Sequence, residues 1–254
     1  MNPLTNQRVI LPPYPIQRGT ESARLAFSEA SMEYKVVHAF GCQSLDQSMR
    51  ETHIAVLTVG IDYAWRYIDI QHLSLTSKAV LIMSSPMVTG AFMHWIGTTS
   101  VLTLNVETET IREYSLPRLH KESGIFLPMG SNLSIIYEFD AFLRDVWEMN
   151  PSTGKWIKLL RFDLRPLSHK SLDLFPPQYF VNPVGWLAVR EVLLFNMSGS
   201  RTCCVAYNLK TKEIRSFQFD TETESYDFQP HLNSLVLFDG GLQMELQPKR
   251  LRVS

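Results

Sequence analysis

The sequence predicts an all-β protein, a β-propeller of four-stranded antiparallel blades, on three observations. Short runs rich in Val, Ile, Leu and aromatic residues dominate the 254-residue chain. Long helical periodicity is hard to find, and one turn motif recurs at roughly the spacing of a propeller blade. The 14 prolines and 12 glycines are spread along the chain without marking a linker. We therefore expect a single domain of about five to six blades.

Each predicted strand is a short apolar run that ends at turn residues. Many such runs with little helix between them are typical of an all-β domain. Helix is least improbable around Gln43–Thr52, and a loop is the preferred interpretation even there. The predicted strands read ARLAF, EYKVVHAF, THIAVLTV, AWRYIDI, AFMHWIG, SVLTLNV, IREYSLP, LSIIYEF, DVWEM, WIKLLRF, GWLAV, EVLLF, CCVAYNL and IRSFQF.

A turn of the form N-x-x-T occurs four times, and apolar residues alternate around it. Asn bonds readily to its own backbone two residues on, and Thr does so more weakly, so the motif joins two antiparallel strands. The copies begin at positions 2, 105, 150 and 208. The two shorter gaps fit one blade each with loop insertions, and the long first gap fits two blades. The hairpin LAFSEASMEYKVVHAF fills part of that first interval.

Trp147 and Trp156 lie on either side of the third copy of this turn. Equivalent positions in the other copies hold smaller apolar residues, which favours a role in packing between blades. The alternative is a pair of rings that stacks on a ligand.

Composition and net charge indicate which classes of partner and which cellular compartment to expect. The net charge of −1 gives no field that would attract nucleic acid or an anionic membrane. The basic stretch PKRLR near the C-terminus is interpreted as a solvated tail. Cys42, Cys203 and Cys204 are too few for a disulfide framework, and no run of apolar residues approaches a membrane span. We expect a cytoplasmic or nuclear protein, or one found in both.

No catalytic or cofactor motif stands out, so the sequence predicts a chain that is not an enzyme and that holds no cofactor or metal. His94, between Met93 and Trp95, is expected to be half-buried and paired with the backbone. Asp62 and Asp69 could form an acid–base pair. In a β-rich chain the preferred interpretation is that these two residues mark a turn and a strand edge. The charged residues around Trp147, which are Arg144, Asp145 and Glu148, are expected on an exposed strand face or rim.

Six stretches in order resemble the F-box-associated region of the large plant F-box protein family. NPLTNQRVILPP is similar to that family's N-P-x-T element with its later L-P-P, and LAFSEASMEYKVVHAF to its Y-K-V-V hairpin, with Glu29 and Ala30 in place of Asp-Pro. The other four are GAFMHWIG with VLTLNVETETIREYSLP, then DVWEMNPSTGKWIKLLRF, VAYNLKTKEIRSFQF and HLNSLVLFDGG. The resemblance runs from about Asn2 to Asp239 and implies a kelch-like propeller.

The resemblance implies a substrate-recognition domain of an SCF-type E3 ubiquitin ligase, with an unknown target protein and a Skp1-type adaptor as partners. The domain would span 1–254, with a core over 2–239 and a tail over 240–254. The chain lacks the F-box itself, so the first blade is expected to be incomplete. Two alternatives stay open: an interaction propeller without a ubiquitin role, such as a competitor or a truncated product, and a propeller hydrolase.

Target binding in such a domain is expected from loops at one rim of the propeller. No individual partner-binding residue can be assigned from the sequence. Length and polarity single out three loops, which are Gln43–Glu51, Leu119–Gly124 and Leu164–Pro177. An ordinary irregular connection is the alternative interpretation of each.

Overall fold

The structure is a computed structural model that describes residues 10–13, 21–43, 50–117, 124–139, 143–164, 180–198 and 203–218. It contains four antiparallel sheets of four strands each, in chain order. Sheet 1 holds β1 (Glu21–Ser28), β2 (Glu33–Gln43), β3 (Arg50–Thr58) and β4 (Arg66–Ile68), and sheet 2 holds β5 (Met87–Thr89), β6 (Phe92–Ile96), β7 (Ser100–Asn105) and β8 (Thr110–Ser115). Sheet 3 holds β9 (Gly124–Met129), β10 (Asn132–Glu138), β11 (Leu143–Met149) and β12 (Trp156–Asp163), and sheet 4 holds β13 (Phe180–Ala188), β14 (Val192–Ser198), β15 (Cys203–Asn208) and β16 (Ile214–Gln218).

The sheets stand side by side with their first strands together. Strand β1 contacts β5, β5 contacts β9, and β9 contacts β13. The hairpin turns after those strands also meet, since a Cβ placed on Gly90 would lie 3.4 Å from Ser131, and one on Gly130 would lie 3.6 Å from Val189. Successive meander sheets with adjoining first strands have the arrangement of propeller blades. The all-β prediction and the four-stranded antiparallel sheets are therefore confirmed.

This arrangement gives the molecule two rims. Every hairpin turn that follows an odd-numbered strand lies at one end of the sheets, which we call the turn rim. Every connection that follows an even-numbered strand lies at the other end, which we call the loop rim. The described residues hold four sheets, so the expected total of five to six blades stays a prediction. The incomplete first blade concerns residues that lie largely outside the described part of the chain.

Apolar side chains fill the three boundaries between neighbouring sheets. Between sheets 1 and 2, Ile54, Val56, Trp95 and Leu102 are at most 1% exposed. A smaller cluster around Met149 joins sheets 2 and 3. Sheets 3 and 4 share a core of aliphatic and aromatic residues that includes Phe162, Phe195 and Tyr207. Each sheet is thus stabilised by burial against the next one.

One helix, α1 (Leu75–Met83), connects sheet 1 to sheet 2 at the loop rim. Ser74 caps it by accepting a hydrogen bond from the amide of Ser77 at 3.1 Å. Leu81 is fully buried against the core of sheets 1 and 2. The sequence interpretation missed this helix, although the capping Ser before a run of helix-compatible residues is a standard start signal. It also missed the short inner strands β5 and β9.

Three of the four N-x-x-T turns are confirmed as hairpin turns at the turn rim. The side-chain Oδ1 of Asn150 accepts hydrogen bonds from the amides of Ser152 and Thr153, at 3.0 and 3.2 Å. The same pair of bonds forms around Asn105 and around Asn208. The copy at Asn2 lies outside the described residues.

Each of the eight hairpin turns at the turn rim contains one residue in the left-handed backbone region. In four turns this residue is a glycine, the usual choice where φ is positive. In the other four turns the residue carries a side chain, and its Cβ lies unfavourably close to the following carbonyl oxygen. The set comprises Gly60, Gly90, Gly130, Gly154, Met32, Glu109, Arg190 and Lys212.

Candidate interaction surfaces

All three loops singled out by the sequence leave the sheets at the loop rim. Gln43 ends β2, Gly124 begins β9, and Leu164 directly follows β12. Leu164 itself is 6% exposed and packs in the core between sheets 3 and 4, so it belongs to the scaffold. The interiors of the three loops, at 44–49, 118–123 and 165–179, lie outside the described residues. The topology therefore places their anchor points on a common rim.

Trp147 and Trp156 lie on the face of sheet 3 that is turned towards sheet 2. Trp156 packs in the cluster around Met149, and its indole Nε1 donates a hydrogen bond to the carbonyl of Ser115 at 3.1 Å. Trp147 is half-buried on a neighbouring position of the same strand pair. Packing between blades, as the sequence indicated, accounts for Trp156.

An ion-pair network joins sheets 1 and 2 at the turn rim. Lys35 Nζ donates to Glu109 Oε1 at 2.9 Å, and Arg66 donates to both Glu109 and Asp62. Burial raises the pKa of Glu109, but Arg66 and Lys35 lower it by more, so its pKa lies below the ordinary value. Glu109 is one of the non-glycine residues with positive φ, at 54°. Its side chain therefore connects two sheets from a backbone conformation that is unfavourable for a residue with a Cβ.

Sheets 3 and 4 are joined by a second charged contact at the same rim. Arg190 Nη2 donates to both carboxylate oxygens of Glu148, at 2.7 and 2.6 Å. Asn132 Nδ2 adds a third bond to that carboxylate at 2.7 Å. Glu148 is only 2% exposed. The prediction of an exposed position for Glu148 is wrong, because a partner from the next sheet allows its burial.

Asp145 is buried as well, at 6% exposure, which also corrects the sequence prediction. Arg161 Nε and Lys158 Nζ each donate to its carboxylate at 2.6 Å. Hydrogen bonding from Arg161 and Lys158 holds the pKa of Asp145 below its usual value, although burial opposes them. The guanidinium of Arg161 lies 3.6 Å above the ring of Phe139. This cluster couples β11 to β12.

His94 is fully buried, and two threonine hydroxyls hold its ring. Its Nε2 lies 2.7 Å from Thr89 Oγ1, and its Nδ1 lies 3.0 Å from Thr103 Oγ1. Burial lowers the pKa of His94 to about 3, so the ring is neutral at physiological pH. The prediction of a half-buried His paired with the backbone is wrong in both respects. Strands β5 and β7 supply the two hydroxyls, and the missed strand β5 explains the error.

Asp62 and Asp69 do not form an acid–base pair. Asp62 lies in the turn after β3, where its Oδ2 accepts a hydrogen bond from the amide of Thr58 at 2.5 Å. Asp69 follows β4 and accepts a bond from the amide of Gln71 at 2.9 Å. These are the turn and strand-edge positions that the sequence favoured.

Within the described ranges no group of three His, Cys, Asp or Glu side chains could hold a metal ion. No described helix is long and apolar enough to cross a membrane.

The turn rim of sheet 1 presents large apolar side chains to solvent. Tyr63 is 88% exposed, Met32 69% and Ile61 55%. Ile61 and Tyr63 lie on either side of Asp62 in the turn between β3 and β4, the one such turn of the four sheets without the N-x-x-T motif. Sequence reasoning did not single out these residues. The departure from the repeated turn was the signal that could have found them.

Comparison with known proteins gives fold-level likeness only. No family model matches the chain, and no curated protein matches it. Among solved structures, Pyrococcus horikoshii acylaminoacyl peptidase is 10% identical, with a TM-score of 0.41 over 80% of this chain and 33% of that chain. The β-propeller domain of the Trilobed protease from Pyrococcus furiosus is 11% identical, with a TM-score of 0.38 over 77% of this chain and 58% of that chain. This chain thus spans about a third of the length of the peptidase.

These two structures contradict the prediction that the chain is not an enzyme, because both belong to proteases. The likeness concerns the fold, and no residue role is carried over from either protein.

Proposed function

We propose that this chain is a protein–protein interaction module that recognises a target protein through its loop rim. The observation that carries the proposal is that the three polar loops singled out by the sequence all leave the sheets at that rim. Sheets with tight turns at one end and long connections at the other hold their loops on a rigid base, and such loops are common binding elements. The buried sheet boundaries supply that rigidity.

The proposal extends to ubiquitin ligation through the resemblance to the plant F-box family. In that family this region recognises the substrate of an SCF-type ligase, and a Skp1-type adaptor binds elsewhere in the protein. The support consists of six motifs in order, with three N-x-x-T turns that form the same Asx hydrogen bonds. We also propose that the propeller is of the kelch-like type and has about five to six blades in all. The alternative is an interaction module without any role in ubiquitination.

Co-purification separates these two possibilities. The full chain with an affinity tag is expressed in plant cells, captured, and probed for Skp1-type adaptor and for other bound proteins. A reproducible target together with adaptor is the result expected for the ligase role. A reproducible target without adaptor supports the module outside the ligase. No protein retained above a tag-only control would overturn the interaction role itself.

A further inference from the structure

A second surface, on the opposite rim from the loops, is built from three turns of sheets 1 and 2. Hydrogen bonds of the main chain and of acidic side chains connect the turns at 29–32, 59–65 and 106–109. The amide of Val59 donates to the carbonyl of Tyr34 at 2.8 Å, and the amide of Ala30 donates to Glu107 Oε1 at 3.2 Å. We call this surface the acidic apolar patch, and it comprises Glu29, Met32, Glu33, Ile61, Tyr63 and Glu107.

The apolar part of the patch stands on a rigid base. The turn that carries Ile61 and Tyr63 is held by Asp62, which binds both the Thr58 amide and Arg66. Arg66 in turn reaches Glu109 on sheet 2 at 2.5 Å. A turn fixed in this way loses little backbone freedom on binding, and a tyrosine side chain has only two χ angles to order, so Tyr63 can contribute a large contact area at a low entropic cost.

The charge of the patch is negative. Lys35 and Arg66, the cations of the network between sheets 1 and 2, are already engaged by Glu109 and Asp62. Glu29, Glu33 and Glu107 have no cationic partner within the described part of the chain. Glu107 only accepts hydrogen bonds from Ser28 and Ala30. A partner with positive charge would gain electrostatic energy here without displacing an existing ion pair.

We propose that the acidic apolar patch binds a peptide segment that carries a lysine or arginine close to a large apolar side chain. The apolar side chain packs on Tyr63 and Ile61, and the cation lies among Glu29, Glu33 and Glu107. This surface lies on the opposite rim from the proposed target loops, so it does not depend on a role in ubiquitination.

Selection of peptides tests this assignment. A random 12-residue peptide library displayed on phage is panned against the immobilised full chain, and selected peptides are synthesised for fluorescence polarisation. The variants are Tyr63→Ser and Glu29→Lys, both at exposed positions. Met83→Ser, at an 82% exposed residue of α1 on the loop rim, is the matched control. Thermal unfolding of each variant verifies the fold.

The expected peptides are rich in Lys or Arg within a few positions of Leu, Phe or Trp. Their affinity should fall about tenfold or more in Tyr63→Ser and in Glu29→Lys, stay unchanged in Met83→Ser, and weaken with added salt. Peptides without basic residues, or basic peptides that bind both patch variants as tightly as the parent, would overturn the assignment. Peptides lost only in Met83→Ser would also overturn it while leaving the loop-rim function intact. If panning selects no peptide, the proposal that the patch binds a peptide is overturned. The loop-rim function is tested by the co-purification experiment and is not affected by that result.

Discussion

Arg190 joins sheets 3 and 4 by donating two hydrogen bonds to the buried carboxylate of Glu148, while its own backbone takes the left-handed conformation at φ 63°. A glycine would fit that backbone at lower cost. The Arg190 side chain, however, satisfies a carboxylate that is only 2% exposed. Glu109, at the boundary of sheets 1 and 2, combines the same backbone with the same bridging role.

Arg190→Met should destabilise the protein by about 2–3 kcal/mol. Removal of one partner of a buried ion pair costs about 3–5 kcal/mol, and the half-exposed arginine and the remaining bond from Asn132 reduce that figure. The measurement is chemical unfolding in urea. Lys212→Met is the matched control, because Lys212 also has a positive φ but forms no ion pair with any described residue. Its ammonium lies 5.9 Å from the centre of the Tyr207 ring, a weak contact, so this change should alter stability by less than about 1 kcal/mol.

Glu148→Leu alone and the double variant Glu148→Leu with Arg190→Met complete the cycle, and the double variant carries the main expectation. It should recover at least half of the loss, since no unpaired carboxylate then remains buried. Equal destabilisation by Arg190→Met and Lys212→Met would contradict the bridging role.

Gly154→Ala should destabilise the protein by more than Gly60→Ala does. Both glycines have positive φ, at 70° and 81°. An alanine in that backbone costs about 1–2 kcal/mol at either site. A Cβ on Gly154 would also overlap the ring of Tyr114 from sheet 2, whereas nothing lies within 4 Å of one on Gly60. Urea unfolding of the two variants measures the difference, and equal losses would show that the ring moves aside freely.

His94 should make stability depend on pH from about 6.5 down to about 3, and its contribution is best measured between about 6.5 and 5. The folded pKa of about 3 lies below the ordinary value of 6.5, so in this range the unfolded chain binds a proton that the folded chain does not. The contribution of His94 to the free energy of unfolding should therefore be complete above pH 6.5. It should decrease as the pH is lowered, by at most about 1.4 kcal/mol per pH unit.

His94→Gln should remove that part of the slope, and His72→Gln, at an exposed residue, should leave it unchanged. Asp62, Glu109 and Asp145 also have lowered pKa values. Their contribution to stability decreases only as the pH falls below about 4, where carboxyl groups ordinarily titrate, so it does not affect the slope between pH 6.5 and 5. An identical slope in parent and His94→Gln would show that the ring is not held neutral.

Asn150→Leu should cost about 1 kcal/mol, because the amides of Ser152 and Thr153 lose their acceptor. Asn150→Asp keeps an oxygen in that position and should recover most of the loss. Urea unfolding gives both values. A full loss in the Asp variant would mean that the amide group, rather than the acceptor oxygen, is what the turn requires.

The sequence predicts well those features that are stabilised within a few residues. The Asn150 turn is readable because its hydrogen bonds are local, and β10 to β12 follow from their alternating apolar residues. Helix α1 was also readable from the cap at Ser74, but the strong β pattern on either side outweighed it. Positions that depend on a neighbouring sheet could not be read in this way.

The charged residues around Trp147 show why the rest was missed. A carboxylate such as Glu148 looks like a surface residue in a strand, and only the arrival of Arg190, 42 positions later, makes its burial tolerable. His94 depends in the same way on Thr89 from a three-residue strand that has almost no signal of its own. The turn around Tyr63 departs from the repeated motif in the sequence, but its place beside two other turns, one of them from sheet 2, follows only from the fold.

The most direct test of the central claim is the affinity of the loop rim for its captured target. Residues 44–49, 118–123 and 165–177 are replaced by Gly-Ser stretches of equal length, and target binding is compared with that of the parent chain and of Lys212→Met on the turn rim. The interaction role at the loop rim predicts that affinity falls about tenfold or more with the loops replaced and stays unchanged in Lys212→Met. Target affinity that survives replacement of all three loops, in a chain that still unfolds cooperatively, would contradict it.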